Sequence, residues 1–238
     1  MKSLQTQRTL VDQAYDAILD AICDGTLAPN ERLTQDEIAN RLAVSRQPVM
    51  SALGLLKQQG FLSEHGRRGL AVAPIDRARF DAIYEYRTAI EPFAARLATE
   101  RITPEQLARG RELVAYGKRV AAAGDAAATL QADVDFHTLI YEASGNPLIV
   151  ESMRLHWQHL RRSMGEVLRR PRFTQQVWRE HAAILEAMGR GKPEEAARLI
   201  GKHVSVAHQR VREELIALGA TTKPGEAGGG ADPLVSAA

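Results

Sequence analysis

The chain has 238 residues, 25% of them charged, with a formal net charge of +2; that length favours two domains of unequal size, each able to bury a core. That charge is far from the strongly basic balance of a protein that coats nucleic acid and says little else, and no apolar run approaches the roughly 20 residues that span a bilayer, which excludes a transmembrane helix. The single cysteine, Cys23, has no internal disulfide partner and no apolar signal stretch opens the chain, so the expectation is a cytoplasmic protein.

Residues 7 to 24 read as a helix with apolar positions Leu10, Ala14, Ala17, Ile18, Ala21 and Ile22, closed by Gly25. LAPNERL follows as a turn. Thr34 and Glu37 have capping-box spacing, which starts a short helix through Leu42 with Ile38, Ala39 and Leu42 inward. Ser45 is the natural N-cap of a second short helix, whose first turn tolerates Pro48 and whose stripe of Val49, Ala52, Leu53 and Leu56 runs to Gly60. Two helices this close form a helix-turn-helix. FLSEHGRRGLAVAPI then supplies two apolar strand candidates around a turn from His65 to Gly69, a hairpin wing.

Charge over residues 1 to 75 balances, yet residues 41 to 68 carry Arg41, Arg46, Lys57, Arg67 and Arg68 against only Glu64, while Asp12, Asp16, Asp20 and Asp24 sit elsewhere at helical spacing. Such a division orients a small domain on duplex DNA. The second helix of a helix-turn-helix presents its N-terminal residues to base edges, which here are Ser45, Arg46 and Gln47. Arginine pairs with guanine and glutamine with adenine in bidentate fashion, so Arg46 and Gln47 are the base-reading candidates. Thr34, Gln35 and Arg41 suit backbone contacts, and Arg67 and Arg68 at the wing tip could reach phosphates or the minor groove. For Arg41 and Lys57 a solvated surface charge is an equally good reading.

LTQDEIANRLAVSRQPVMSALGLLKQQGFL followed by GRRGLAV resembles the winged-helix signature of the GntR family. The opening VSRQPV is close to the family's VSRTPV. One departure stands out: arginine and glutamate usually follow that valine, whereas this chain has Met50 and Ser51, so the resemblance implies an operator unlike the common family site or weaker phosphate binding.

From Asp76 the pattern is helical, with breaks near Thr103-Pro104, Gly124, Gly145-Asn146-Pro147, Pro171 and Gly191 to Pro193, or about six helices. The fold class expected is therefore mainly α: a winged helix-turn-helix over residues 1–75 and an all-α antiparallel helical bundle over 76–218. Residues 219–238 are Gly/Ala/Pro-rich without periodicity and read as a disordered tail.

On a helical wheel of residues 130 to 144, Asp133 and His137 fall in the middle of an apolar arc made by Leu130, Val134, Phe136, Ile140 and Tyr141. His181 lies among Val177, Ile184, Leu185 and Met188, and His203 among Leu199, Ile200, Val206 and Ala207, whereas His156 and His159 sit at the edge of their stripe. Polar groups aimed into a core are costly unless something satisfies them. Taken singly, each histidine fits a hydrogen-bonded core residue, and Asp133 and His137 could satisfy each other. Taken together, three histidines and an aspartate from three helices form a ligand set for zinc foremost, or nickel, manganese or iron, with positions left for water or a small acid. Arg87 shares an inward arc with Ile83, Tyr86, Ile90 and Ala94, either as a clamp for an effector or in a salt bridge with Glu91. Asn146 offers a cavity contact or turn chemistry.

YRTAIEPFAARLA, DVDFH with SGNPL after it, EHAAILEAMGRGKPEEA and the KHV of the last helix resemble the FCD ligand-binding domain of FadR-type GntR regulators. That resemblance implies a divalent metal held by Asp133, His137, His181 and His203 beneath a cavity for a small organic or sugar acid. It also implies a homodimer that reads a pseudo-palindromic operator in double-stranded DNA and releases it when the metabolite binds, which is a repressor's behaviour and not an enzyme's. Two alternatives stay open: a metal-dependent enzyme using the same four residues, against which stands the lack of any HExxH, P-loop, nucleophile-elbow or GxGxxG motif, and a regulator whose metal is purely structural.

Overall fold

The computed structural model of the chain describes residues 8–66, 69–168 and 174–217. Helix α1 (Leu10–Cys23) starts at Thr9, whose hydroxyl accepts from the Asp12 amide while the Asp12 carboxylate accepts from the Thr9 amide. Its buried stripe is Ala14, Ile18, Leu19 and Ile22; Leu10, assigned inward from the sequence, is exposed, and Leu19 lies inside instead. Helices α2 (Gln35–Leu42) and α3 (Arg46–Gln58) follow, joined by a turn in which Ala43 takes a left-handed φ of 52°. Thr34 caps α2 by accepting from the Glu37 amide, whereas Ser45 stands at the N-cap of α3 with its hydroxyl making no cap bond.

Strands β2 (Leu62–His65) and β3 (Gly69–Val72) form the expected hairpin. The turn read at LAPNERL contains a further strand, β1 (Arg32–Leu33), which pairs antiparallel with β3 through Arg32–Ala71 and Leu33–Leu70 and gives the order β1-β3-β2. Two residues carry no periodicity, so only the partner strand reveals them. Val49, Ala52, Leu53, Leu56, Phe61 and Val72 close one core cluster with the apolar face of α1.

Six further helices are described: α4 (Arg77–Arg101), α5 (Pro104–Ala122), α6 (Ala126–Ala143), α7 (Pro147–Leu168), α8 (Thr174–Gly189) and α9 (Pro193–Ala217). The expected break at Pro171 and the tail 219–238 lie outside the described residues. Helix α4 runs along α9, α5 packs on α6 and α8, and α6 touches α4 and α7, so α4, α6, α8 and α9 surround a second core cluster. Glycine permits two of these contacts. A Cβ at Gly117 would lie 2.1 Å from Trp178, and one at Gly110 would lie 2.7 Å from Leu185. Large fully buried side chains such as Trp178 and Phe136 contribute about 1.5–3 kcal/mol each to stability. No helix among the described residues is long and apolar enough to cross a membrane.

Helix α7 also faces the N-terminal cluster. His159 stacks on Phe61 with ring centroids 4.1 Å apart, Arg161 pairs with Asp20 at 3.0 Å, and Arg162 donates to the Ala73 carbonyl. Arg79 of α4 donates to the Gln59 carbonyl at 2.7 Å and approaches His159 at 3.1 Å.

Candidate metal centre and DNA face

Asp133 and His137, one turn apart on α6, meet His181 of α8 and His203 of α9: one ligand atom from each lies within 4.8 Å of the others. All four are buried. His181 Nε2 stands 3.3 Å from His203 Nε2 and 3.4 Å from Asp133 Oδ1. His203 turns its Nδ1 to Glu180 at 2.8 Å, and His137 turns its Nδ1 to Glu91 at 2.9 Å. At His203 the hydrogen bond to the Glu180 carboxylate holds the ring proton on Nδ1 and leaves Nε2 as a lone pair, the tautomer a metal ligand needs. The His137–Glu91 pair is within reach but off the axis of a hydrogen bond, so His137 Nδ1 and Glu91 Oε2 remain without a hydrogen-bond partner.

Burial, followed by the positive fields of His203, His137 and Arg87, drives the His181 pKa well below its ordinary value, so this imidazole stays neutral. Burial would raise the Glu180 carboxyl, but its contact with His203 outweighs this and holds it below the usual range. His137 Nε2 is fully buried without a hydrogen-bond partner. Three imidazoles and a carboxylate converging around an unpartnered ring nitrogen form a donor set that suits a divalent cation. The mutual pairing of Asp133 with His137 is not the arrangement found, because His137 faces Glu91.

Beside this cluster lies a cavity of about 50 Å³, lined by Tyr84, Arg87, Thr129, Asp133, Trp178 and His203 among others; roughly 10–15 Å³ admits one water. The Tyr84 hydroxyl and the Trp178 indole N–H are buried there without a hydrogen-bond partner. Burial, partly opposed by Arg87, pushes the Tyr84 hydroxyl pKa up to about 12, which keeps it a donor. Arg87 forms the salt bridge to Glu91, Nε to Oε1 at 2.5 Å, and its guanidinium also stacks 4.6 Å from the Trp157 ring centroid. Burial opposes that charge, but Glu91 more than compensates and keeps Arg87 protonated. Glu91 Oε1 accepts in addition from Tyr141 at 2.7 Å, and Tyr141 accepts from the Trp157 indole at 3.3 Å. A buried network thus ties α4, α6 and α7 to the histidine cluster. Tyr141, Trp157 and Glu180 were not singled out as site residues from the sequence, although their neighbours' inward polarity required partners.

Asn146 does something else. Its Oδ1 accepts from the Leu148 amide at 3.1 Å at the start of α7, and it is not among the cavity-lining residues. Of the two roles open to it from the sequence, turn chemistry is the one that occupies its Oδ1 here.

On the N-terminal unit Gln35, Arg41, Ser45, Arg46 and Gln47 are exposed, Arg46 in an ion pair with Asp36. The Thr34 hydroxyl is engaged in its cap. Arg67 and Arg68 lie outside the described residues.

The comparisons with known proteins fit this geometry. Residues 10–72 match the bacterial regulatory proteins of the gntR family and residues 82–206 match the FCD domain. The chain belongs to the GntR family and carries an FCD domain. It is 26% identical over 197 residues to the Nta operon transcriptional regulator of Aminobacter aminovorans, covering 82% of this chain and 90% of that one. Against the Uxu operon transcriptional regulator of Escherichia coli it is 25% identical over 235 residues, covering 90% and 91%. Among solved structures, Escherichia coli McbR/YncC shares the fold with a TM-score of 0.78 at 21% identity, over 87% of this chain and 99% of that one. This GntR-family chain is a DNA-binding transcriptional regulator, and its relatives are regulators, not enzymes.

Proposed function

We propose that this regulator is a cytoplasmic homodimeric repressor whose binding to double-stranded operator DNA is controlled by a small organic or sugar acid. In this reading residues 1–75 read DNA and residues 76–218 sense the acid and dimerise. The observation that carries the reading is the cavity whose lining brings together Asp133 and His203 of the cluster with three donor side chains, Tyr84, Trp178 and Arg87. Asp133, His137, His181 and His203 would hold a divalent ion, zinc foremost, or nickel, manganese or iron, and that ion would supply a Lewis-acidic anchor for a carboxylate. Arg87, pre-charged by Glu91, and the Tyr84 and Trp178 donors match the remaining oxygens of an acid. One relative, 26% identical over 229 residues, carries the name "Putative L-lactate dehydrogenase operon regulatory protein" in Escherichia coli, which puts lactate among the acids to screen.

Helix α7 gives the signal a path. Trp157 faces the buried network, while two residues on His159 stacks against Phe61. A shift of Arg87 or Tyr141 on ligand binding displaces Trp157 and therefore the seat of the reading head.

The test is metal analysis of the purified protein, then a thermal-shift screen of lactate and sugar acids with and without chelator, then DNA binding with each hit. The expected result is a stoichiometric metal, a metal-dependent rise in melting temperature with at least one acid, and loss of DNA binding by that acid. A chelated protein that unfolds supports a structural metal; a chelated protein that stays folded and keeps its acid response overturns the reading.

A further inference from the structure

Gly54 lies inside α3, one turn beyond Met50 and two beyond Gln47. A glycine inside a helix is destabilising relative to alanine, so it needs a reason. In α5 the reason is packing, since Gly110 and Gly117 sit under Leu185 and Trp178. At Gly54 the described residues supply no such reason: a Cβ there meets nothing of them within 4 Å. Gln47, Ser51, Gly54 and Gln58 follow one another at four, three and four residues, so they form one exposed stripe, with Met50, 53% exposed, along its edge. Both cations of α3 are engaged by acids of the same unit, Arg46 by Asp36 and Lys57 by Glu64 at 2.6 Å. The stripe itself carries no formal charge.

We propose that α3 reads DNA by close approach at Gly54, which lets the helix seat deep enough for Met50 to contact thymine methyl groups while Gln47 reaches an adjacent base. The major groove is about 12 Å wide and a helix with its side chains is about 10–12 Å across, so one missing side chain at the centre of the groove-facing surface changes the depth of insertion. Methionine, unbranched and polarizable, matches the thymine 5-methyl, the one apolar feature of the groove floor. Gln47, Met50 and Gly54 then join Arg46 as specificity determinants, and selected sites carry A·T pairs beneath Met50. This inference rests on the assignment of the N-terminal unit as the DNA reader.

The experiment starts with the full-length, metal-loaded protein and a randomised duplex pool, and takes the sequence it enriches as the probe. G54A is expected to melt at or above the wild-type temperature yet bind the enriched duplex at least tenfold more weakly. Replacing single thymines by deoxyuridine removes only the methyl group; at one or two positions this should weaken wild-type binding about three- to tenfold and leave M50A binding unchanged. M50R should raise affinity for unselected DNA and steepen the salt dependence by about one ion. Enrichment of a sequence that G54A binds as tightly as wild type, or deoxyuridine substitution without effect anywhere, overturns the close-approach proposal while leaving the DNA reader intact. Failure to enrich any sequence overturns both.

Discussion

The two functional regions are built on opposite principles. In the C-terminal unit Asp133, His137, His181, His203, Arg87 and Glu91 are all buried, and each is fixed by another member of the set or by Glu180 and Tyr141. On α3 the stripe Gln47, Met50, Ser51 and Gly54 is exposed and fixed only by the helix that carries it. Desolvated polar groups constrain one another because an unsatisfied partner costs several kcal/mol, so the buried cluster is energetically coupled to the fold. Exposed residues on a helix are nearly independent of it. Removing a buried member should therefore cost stability, and removing an exposed one should cost only DNA recognition.

The strongest way to break this contrast is Glu91→Ala. It leaves Arg87 charged and buried and strips Tyr141 of its acceptor, so unfolding free energy measured in urea should fall by about 3–5 kcal/mol. A loss under 1 kcal/mol would mean that water enters the network freely. On the other side, Arg46→Ala should leave the urea midpoint within about 0.5 kcal/mol of wild type while weakening selective DNA binding by about 1–3 kcal/mol, read in a titration against a scrambled duplex. Equal loss on both duplexes would make Arg46 a phosphate contact.

The junction between the regions predicts a pH effect. Burial, then the Arg79 charge, lowers the His159 pKa from its ordinary value to about 4. The folded state therefore binds this proton less readily than the unfolded chain. Stability is full above an unfolded pKa of about 6.5 and declines as pH falls from there towards 4. His159→Gln should flatten that slope by up to one proton, measured as the denaturation midpoint against pH; an unchanged slope places the acid sensitivity in other groups. The smallest effect concerns Asn146→Ala, which removes the cap of α7 and should cost about 1 kcal/mol with no change in the affinity of any acid found by screening. A change in that affinity would return Asn146 to the effector site.

Much of both regions was legible in the sequence because periodicity and capping are local. The spacing of Thr34, Ser45 and the α3 stripe specified the helix-turn-helix, and the inward positions of Asp133, His137, His181 and His203 marked each as a buried polar group needing a partner. Signals without a local period were missed or misplaced. β1 exists only because β3 accepts it, Leu19 and Leu10 exchange roles because the direction of the core is set by α3, and Arg87 resolves into an ion pair because Glu91 lies one turn away with Tyr141 beneath it.

The sequence by itself therefore determined the order and type of the helices and the inward turn of Asp133, His137, His181 and His203, since those follow from neighbours within one turn. Tertiary structure alone decided that four such residues from three helices meet at one point, that Glu91 and Glu180 orient two of the imidazoles, and that α7 touches both the buried network and Phe61. Such convergence depends on how helices far apart in the chain cross and pack, and no spacing along one helix records where another will lie.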